Sequence, residues 1–306
     1  MRYKNDVALP DARLLSASQD GTLRIWTEQK DEEWASEVLK HGRGGIGLAR
    51  ALSPGVIVSG GGCLFWGRGP ISMSRRDEHG DWCSEQVSIG AGYVSRMAVF
   101  PDGRIVTSED SKDGSIRVWT RRDDKTWKSE ELRGHAAYVK DIHVLPDDRI
   151  VSASFDHTLR VWTLGTDGTW SSEVLSGHTN NVHLCRALPD GRIVSASDDC
   201  PLRVWTRDND GRWSNEILKG NASPVWRIQA LPDGRILTGE KDGTVRLWSA
   251  TKKWFGFGTT WTSEALRGHT AGIRSVQALR DGRIVSWAYE WTVRVWDGTP
   301  VEGGLS

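Results

Sequence analysis

An all-β fold built from seven copies of one four-stranded antiparallel unit is what this 306-residue chain predicts, and three observations carry that expectation. A β-branched or Leu-rich run ends in tryptophan at Trp26, Trp66, Trp119, Trp162, Trp205, Trp248 and Trp296, with spacings of 40, 53, 43, 43, 43 and 48 residues. A second tryptophan series opens the segments Trp34-ASEVL, Trp82-CSEQV, Trp127-KSEEL, Trp170-SSEVL, Trp213-SNEIL and Trp261-TSEAL. Between them one phrase recurs, as in DDRIVSASFDHTLRVWT after Pro146, DGRIVSASDDCPLRVWT after Pro189 and DGRILTGEKDGTVRLWS after Pro232. Self-similarity at this period marks a repeat architecture.

The fourth unit shows the elements in order. Residues 139–145 read as a first strand, and Pro146-Asp147-Asp148 reads as a turn whose proline presets φ at the first corner. Residues 149–154 form a second strand, Phe155-Asp156-His157 turns the chain, and residues 158–162 form a third, rich in residues that suit a pleat. A polar connection leads to the fourth, where apolar positions alternate with a wet face. Such a sheet cannot bury both faces alone. Copies must stack radially, and closing the ring removes most exposed edges. The expected fold is a seven-bladed β-propeller in a single domain, 1–306, with blades at about 3–39, 46–88, 93–133, 138–176, 181–219, 224–267 and 272–306.

Composition agrees. Forty basic and forty acidic residues cancel, and no apolar run approaches the roughly 18 residues of a membrane span. The opening MRYKNDVALP lacks the apolar core of a signal peptide, and Cys63, Cys83, Cys185 and Cys200 show no Cys-x-x-Cys spacing. A cytoplasmic protein is expected, with a secreted effector as an alternative.

The chain resembles the WD-repeat family over nearly its whole length. The motifs are Gly134-His135, Gly177-His178 and Gly268-His269 before the inner strand, Ser-x-x-x-Asp at the second turn, and the terminal Trp. Only Trp296-Asp297 spells the naming dipeptide. The resemblance implies a buried tetrad bracing each blade: His135, Ser152, Asp156 and Trp162 in blade 4, and His178, Ser195, Asp199 and Trp205 in blade 5. Each buried N–H, hydroxyl and imidazole needs a partner, or costs about 1–3 kcal/mol.

Ser, His and Asp together also suggest a hydrolase triad, but a nucleophile needs one exposed copy beside an oxyanion site, whereas this set recurs at one phase. No catalytic residue is expected, nor any cofactor or metal. The GxGxxG match at 42–47 precedes a strand instead of a helix and so lacks its context.

Four blades depart from the pattern. Blade 6 has Asn221, Thr238, Asp242 and Trp248, losing the His, and blade 7 has His269, Ser286, Glu290 and Trp296, with Glu for Asp. Both are expected to be softer. Blade 2 is degenerate, with Cys63 at the tetrad Asp position, and blade 3 has Gly90 for His and two extra residues after Glu109. Only 10 residues follow Trp296, so blade 7 is expected to lack a full outer strand and to present an open edge.

Function is expected at the top end, where second strands turn into third strands and fourth strands lead to the next blade. Family members commonly bind partners there. The positions the repeat leaves free are Tyr3, Lys4, Tyr93, Tyr138, Lys140, Phe155, Asn181, His183, Trp226, Lys241, Arg274 and Tyr289. Their aromatics and cations match the composition of binding hot spots, and Trp226 stands out because it belongs to neither tryptophan series. The expected function is a non-enzymatic scaffold binding a protein or peptide, with no small-molecule substrate.

A second surface is Lys252, Lys253, Trp254, Phe255 and Phe257, inserted between strands three and four of blade 6. It suggests a peripheral membrane or phosphoinositide binder. That element is placed as in phosphoinositide-binding propellers, but their Phe-Arg-Arg-Gly signature is absent. Zero net charge and the lack of a basic stripe argue against nucleic acid.

Overall fold

The computed structural model describes residues 6–8, 14–18, 20–28, 33–40, 46, 48–53, 56–60, 71–87, 94–109, 111–252, 259–279 and 281–297. These form strands and turns only, grouped in sequence order into seven antiparallel sheets. Blade 1 holds β1 (Asp6–Ala8), β2 (Leu14–Ala17), β3 (Thr22–Glu28) and β4 (Trp34–Lys40); blade 2 holds β5 (Leu48–Ser53), β6 (Val56–Gly60), β7 (Ser72–Arg76) and β8 (Trp82–Gln86). Blade 3 holds β9 (Val94–Val99), β10 (Ile105–Glu109), β11 (Ile116–Arg121) and β12 (Trp127–Leu132); blade 4 holds β13 (Val139–Val144), β14 (Ile150–Ser154), β15 (Leu159–Leu164) and β16 (Trp170–Leu175). In blade 5 are β17 (Val182–Ala187), β18 (Ile193–Ser197), β19 (Leu202–Arg207) and β20 (Trp213–Leu218). Blade 6 has β21 (Val225–Ala230), β22 (Ile236–Glu240), β23 (Val245–Lys252) and β24 (Thr259–Leu266), and blade 7 has β25 (Ile273–Ala278), β26 (Ile284–Ala288) and β27 (Val293–Trp296). The chain divides into two compact units, Met1–Val139 and Lys140–Ser306.

Within the second unit the two faces of each sheet do different work. Blade 5 offers Val194, Ala196, Leu202 and Val204 to Val225, Ile228, Ile236 and Trp248 of blade 6. Blade 4 likewise offers Val151, Ala153, Leu159 and Val161 to Val182, Cys185, Ile193 and Trp205 of blade 5. Period-2 alternation thus sends small and branched residues to the following blade and the tetrad tryptophan to the preceding one.

The second tryptophan series seals the same seams from outside. Trp213 packs on the cluster joining blades 4 and 5, Trp261 on that joining 5 and 6. Arg149 lies 5.4 Å from the Trp213 ring and Arg192 5.3 Å from that of Trp261, each supplied by the preceding blade's first turn. The Glu of the Ser-Glu phrase also bridges blades. Glu173 takes Arg207 at 3.0 Å, and in the first unit Glu37 takes Arg76 at 2.6 Å and Glu85 takes Arg121 at 2.9 Å. These pairs are largely solvated, so each contributes at most about 1 kcal/mol.

First strands of adjoining blades share no sheet, and side chains bond them instead. His183 meets the Val225 carbonyl at 2.8 Å, the Arg227 guanidinium donates to the Arg274 carbonyl, and Gln229 accepts the Ala278 N–H at 2.8 Å. Asp141 on β13 accepts the Cys185 N–H at 3.1 Å and pairs with Arg186. In the first unit Ser108 donates to the Val139 carbonyl at 3.3 Å.

Blade 2 corrects the sequence reading. Its third strand is β7, not a run ending at Trp66; residues 61–70 lie outside the described residues. Arg76 pairs with Trp82 as Arg207 pairs with Trp213, which puts Ser74 at the tetrad tryptophan position. Ser74 bonds Ser84 at 2.9 Å, and Ile71 and Met73 are buried where Leu202 and Val204 are in blade 5. The extra length in blade 2 therefore falls between strands two and three, at the top, not between three and four. The turn after Glu109 absorbs the two extra residues of blade 3.

Blade 7 has three strands among the described residues. Val293 and Val295 are 62% and 56% exposed, whereas the equivalent Leu202 and Val204 of blade 5 are 0% and 1%. Residues 298–306, including the 301–305 segment that could at best cover this edge, lie outside the described residues. Amides of β27 are expected to exchange with deuterium faster than those of β19, which is paired on both sides. Equal protection in the monomer would mean that the edge is covered.

Candidate functional site

The tetrads resolve into scaffold. In blade 5 the Trp205 indole N–H donates to Ser195 Oγ at 2.8 Å, Ser195 meets His178 Nε2 at 2.8 Å, and His178 Nδ1 lies 3.1 Å from both Asp199 oxygens. The indole fixes the rest: the hydroxyl donates to Nε2, so the neutral ring carries its proton on Nδ1. Burial holds His178 below its ordinary pKa, although the Asp199 charge and hydrogen bond pull the other way. A serine whose oxygen is buried and already an acceptor is no nucleophile.

In blade 7 the tetrad closes with Glu in place of Asp. The longer side chain reaches His269 Nδ1 at 2.5 Å and Ala271 N–H at 3.1 Å, while Ser286 joins His269 Nε2 and the Trp296 indole at 2.8 Å each. Partial burial would raise the Glu290 carboxyl, but bonds from His269, its own backbone, Thr292 and Thr270 lower it to about 2. In blade 4 Ser152 accepts the Trp162 indole at 2.8 Å, and His135 is buried; Asp156 takes Thr158 at 3.0 Å.

Blade 6, lacking the His, uses a different brace. Asn221 turns to the Cys200 and Ser223 carbonyls, Thr238 still accepts the Trp248 indole at 3.1 Å, and buried Glu240 takes Arg246 at 2.7 Å. Burial pushes the Glu240 carboxyl up. Blade 3, also without the His, has the same device in Glu109 and Arg117 at 2.8 Å. In sequence these glutamates look like ordinary solvated charges, so the exchange was not legible.

The free positions have a structural cause. In blades 5, 6 and 7 the first strand skips register between Val182 and Leu184, Val225 and Arg227, and Ile273 and Ser275. His183, Trp226 and Arg274 are the extra residues of these bulges, re-aimed out of the ladder. Two of the bulge residues, and Lys140 at the corresponding position of blade 4, have a companion just before the tetrad acid. Arg274 lies 5.0 Å from the Tyr289 ring, His183 3.6 Å from Asp198, and in blade 4 Lys140 lies 5.1 Å from the Phe155 ring.

Not all of these residues remain available. His183 is spent on the Val225 carbonyl, and the Asn181 side-chain amide donates to Asp198 at 3.5 Å. Tyr138 is half-buried in the first unit, Lys241 is exposed, and Tyr93 lies outside the described residues, as do Tyr3, Lys4, Lys253, Trp254, Phe255 and Phe257.

Blades 6 and 7 gather the rest into one cluster. Trp226 meets Tyr289 edge-on at 5.7 Å, and Arg274 lies 5.0 Å from Trp291 and 5.3 Å from Trp287. Gly272 permits this approach: a Cβ there would sit 2.5 Å from the Trp226 ring and 2.8 Å from the Lys241 carbonyl, and its own carbonyl accepts Tyr289 N–H at 3.0 Å. Trp287 and Trp291 were missed by the sequence reading, although a signal existed. Of 17 tryptophans, Trp226, Trp254, Trp287 and Trp291 belong to neither repeat series, and three of these four lie in the cluster.

Comparison with the curated proteins found no match. The chain is similar to the crystal structure of the WD40 β-propeller domain of Doa1, with a TM-score of 0.66 and 24% identity over 96% of this chain and 92% of that one. That likeness shows the fold, a seven-bladed β-propeller in this chain. The WD domain, G-beta repeat family matches at residues 6–27, 84–120, 127–163, 170–206, 213–249 and 261–297, leaving out the stretch where blade 2 loses its tryptophan. With six repeats matched over more than half its length, the chain belongs to the WD domain, G-beta repeat family.

Proposed function

We propose that this protein is a non-enzymatic scaffold that binds a protein or peptide at the top end of blades 6 and 7. Propellers of the family typically serve as protein-interaction scaffolds, a fold-level support only. The observation that carries the reading to this surface is the cluster of Trp226, Tyr289, Trp287 and Trp291 around Arg274, with Tyr289 51% and Trp291 67% exposed. Rigid aromatics beside an arginine dominate interface energetics, and here no core position demands them. Replacing Trp226 and Tyr289 together by Ala is expected to abolish capture of a partner from lysate while leaving the melting temperature nearly unchanged. Undiminished capture would place the binding surface elsewhere.

One observation favours a second reading. The β23–β24 ladder runs two pairs past Ala250–Trp261, through Thr251–Thr260 and Lys252–Thr259, whereas in blade 5 it stops at Arg207–Trp213. The hairpin is thereby longer than that of blade 5, and its connection carries Lys253, Trp254, Phe255 and Phe257, a composition suited to a peripheral membrane contact. Sedimentation with anionic vesicles that is lost on deleting residues 252–257 would support it.

A further inference from the structure

We infer that the Arg274 cluster is a receptor for a carboxylate side chain, and that the partner segment it takes is an acidic peptide with an aromatic or aliphatic residue beside the acid. The inference rests on the protein-binding reading above and assigns it a chemistry. It starts from an imbalance. Most arginines of the second unit spend their N–H donors within the fold: Arg186, Arg207 and Arg246 on Asp141, Glu173 and Glu240, and Arg160, Arg203 and Arg227 on Ser172, Asn215 and the Arg274 carbonyl. Among the described residues Arg274 has ring contacts but no hydrogen bond or ion pair from its guanidinium, and Lys241 has no carboxylate either.

Nearby acids are already committed. Glu290 is held by His269, Thr292 and Ala271, and Asp242 accepts the Thr244 N–H at 2.9 Å. The patch thus presents two cations, Arg274 and Lys241, with no carboxylate paired to either among the described residues.

Geometry makes Arg274 the primary contact. Three rings lie 5.0–5.3 Å from the guanidinium carbon, and its five N–H donors make no hydrogen bond among the described residues. A guanidinium fixed in this way is preorganised for a bidentate carboxylate, and the flanking indoles lower the local dielectric that strengthens the pair. The rings also supply apolar contact for the neighbouring peptide residue.

Trp291 completes the patch. It occupies, at φ +66°, the turn position where blades 1, 3 and 6 place Gly21, Gly114 and Gly243 and blades 4 and 5 place His157 and Cys200, all with positive φ, so the turn of the repeat sets this conformation. The turn leaves the indole 67% exposed beside Arg274.

Random-peptide phage panned in parallel on the wild-type chain and on Arg274→Gln tests the inference, with thermal melts confirming that both are folded. Wild type is expected to enrich peptides carrying Asp or Glu next to an aromatic or aliphatic residue, and Arg274→Gln to lose that enrichment. A synthetic peptide from the wild-type pool should bind Arg274→Gln about tenfold more weakly or worse, and its acid-to-amide analogue should lose as much against wild type. Combining both changes should cost little more than either alone. Arg274→Lys keeps the charge but not the fork and should also weaken binding, which covers the case of a misfolded glutamine variant. Enriched peptides that are not acidic, or acidic enrichment that persists on Arg274→Gln, overturn the carboxylate receptor and leave the top-face reading standing. No enrichment, or peptides indifferent to both Arg274→Gln and Trp226→Ala, overturns both.

Discussion

Asp141→Ala is expected to lower the unfolding free energy by about 3 kcal/mol or more, the scale for breaking a buried ion pair from one side. Asp141 is the carboxylate between the first strands of blades 4 and 5, with its side chain 5% exposed, and it bonds the Cys185 N–H and the Arg186 guanidinium. Truncation leaves both donors without their acceptor, and only Arg186, at 25% exposure, retains partial access to water. Urea denaturation of Asp141→Ala against wild type measures the loss. A change under about 1 kcal/mol would mean that the tie between these strands contributes no more than a surface contact.

Asp199→Ala is expected to cost about 1–3 kcal/mol at neutral pH and, in addition, to make the protein more sensitive to acid. His178 loses its acceptor, and so does the Thr179 N–H, which Asp199 takes at 2.8 Å. The sign of the pH effect follows from the direction of each shift. Burial keeps the folded His178 below 6.5, so the unfolded chain binds its proton first, and stability falls as pH drops below about 6.5 until the folded ring also protonates. Asp199 is itself held below 3.8: burial would raise it, but the Thr179 N–H and the His178 contacts prevail, so its contribution is lost only in stronger acid. Without Asp199 nothing opposes burial at His178, its folded value drops further, and the interval of falling stability widens. Melting temperatures at about pH 7.5 and about pH 5 should therefore diverge more in the variant than in wild type. Parallel shifts in the two proteins would show that His178 is not coupled to this carboxylate.

Much of this was legible in the sequence for a physical reason. Tryptophan at the end of each third strand needs a hydroxyl acceptor, and the pairs Trp26–Ser16, Trp119–Thr107, Trp162–Ser152, Trp205–Ser195, Trp248–Thr238 and Trp296–Ser286 all form at 2.8–3.1 Å. The same demand misled at Trp66, where a Leu-Phe-Trp run imitates a strand end while the true strand carries Ser74 in the tryptophan's place. The site was half legible. Trp226, Arg274 and Tyr289 could be read as positions the repeat leaves free, but the bulges that project Trp226 and Arg274 depend on pairing between strands, which single-strand patterns do not encode. Glu240 and Glu109 escaped notice because their role exists only where the histidine is gone.

The first-strand bulge has a consequence for how such a protein can diverge. A residue expelled from the ladder has no cross-strand partner to satisfy, so its identity can drift between Trp226, His183 and Arg274 while the flanking Val225, Val182 and Ile273 remain fully buried. Mutation at this position in blades 5, 6 and 7 can therefore change the surface at the rim while leaving the ladder's pairing in place, so new specificity is reached at little risk to the fold.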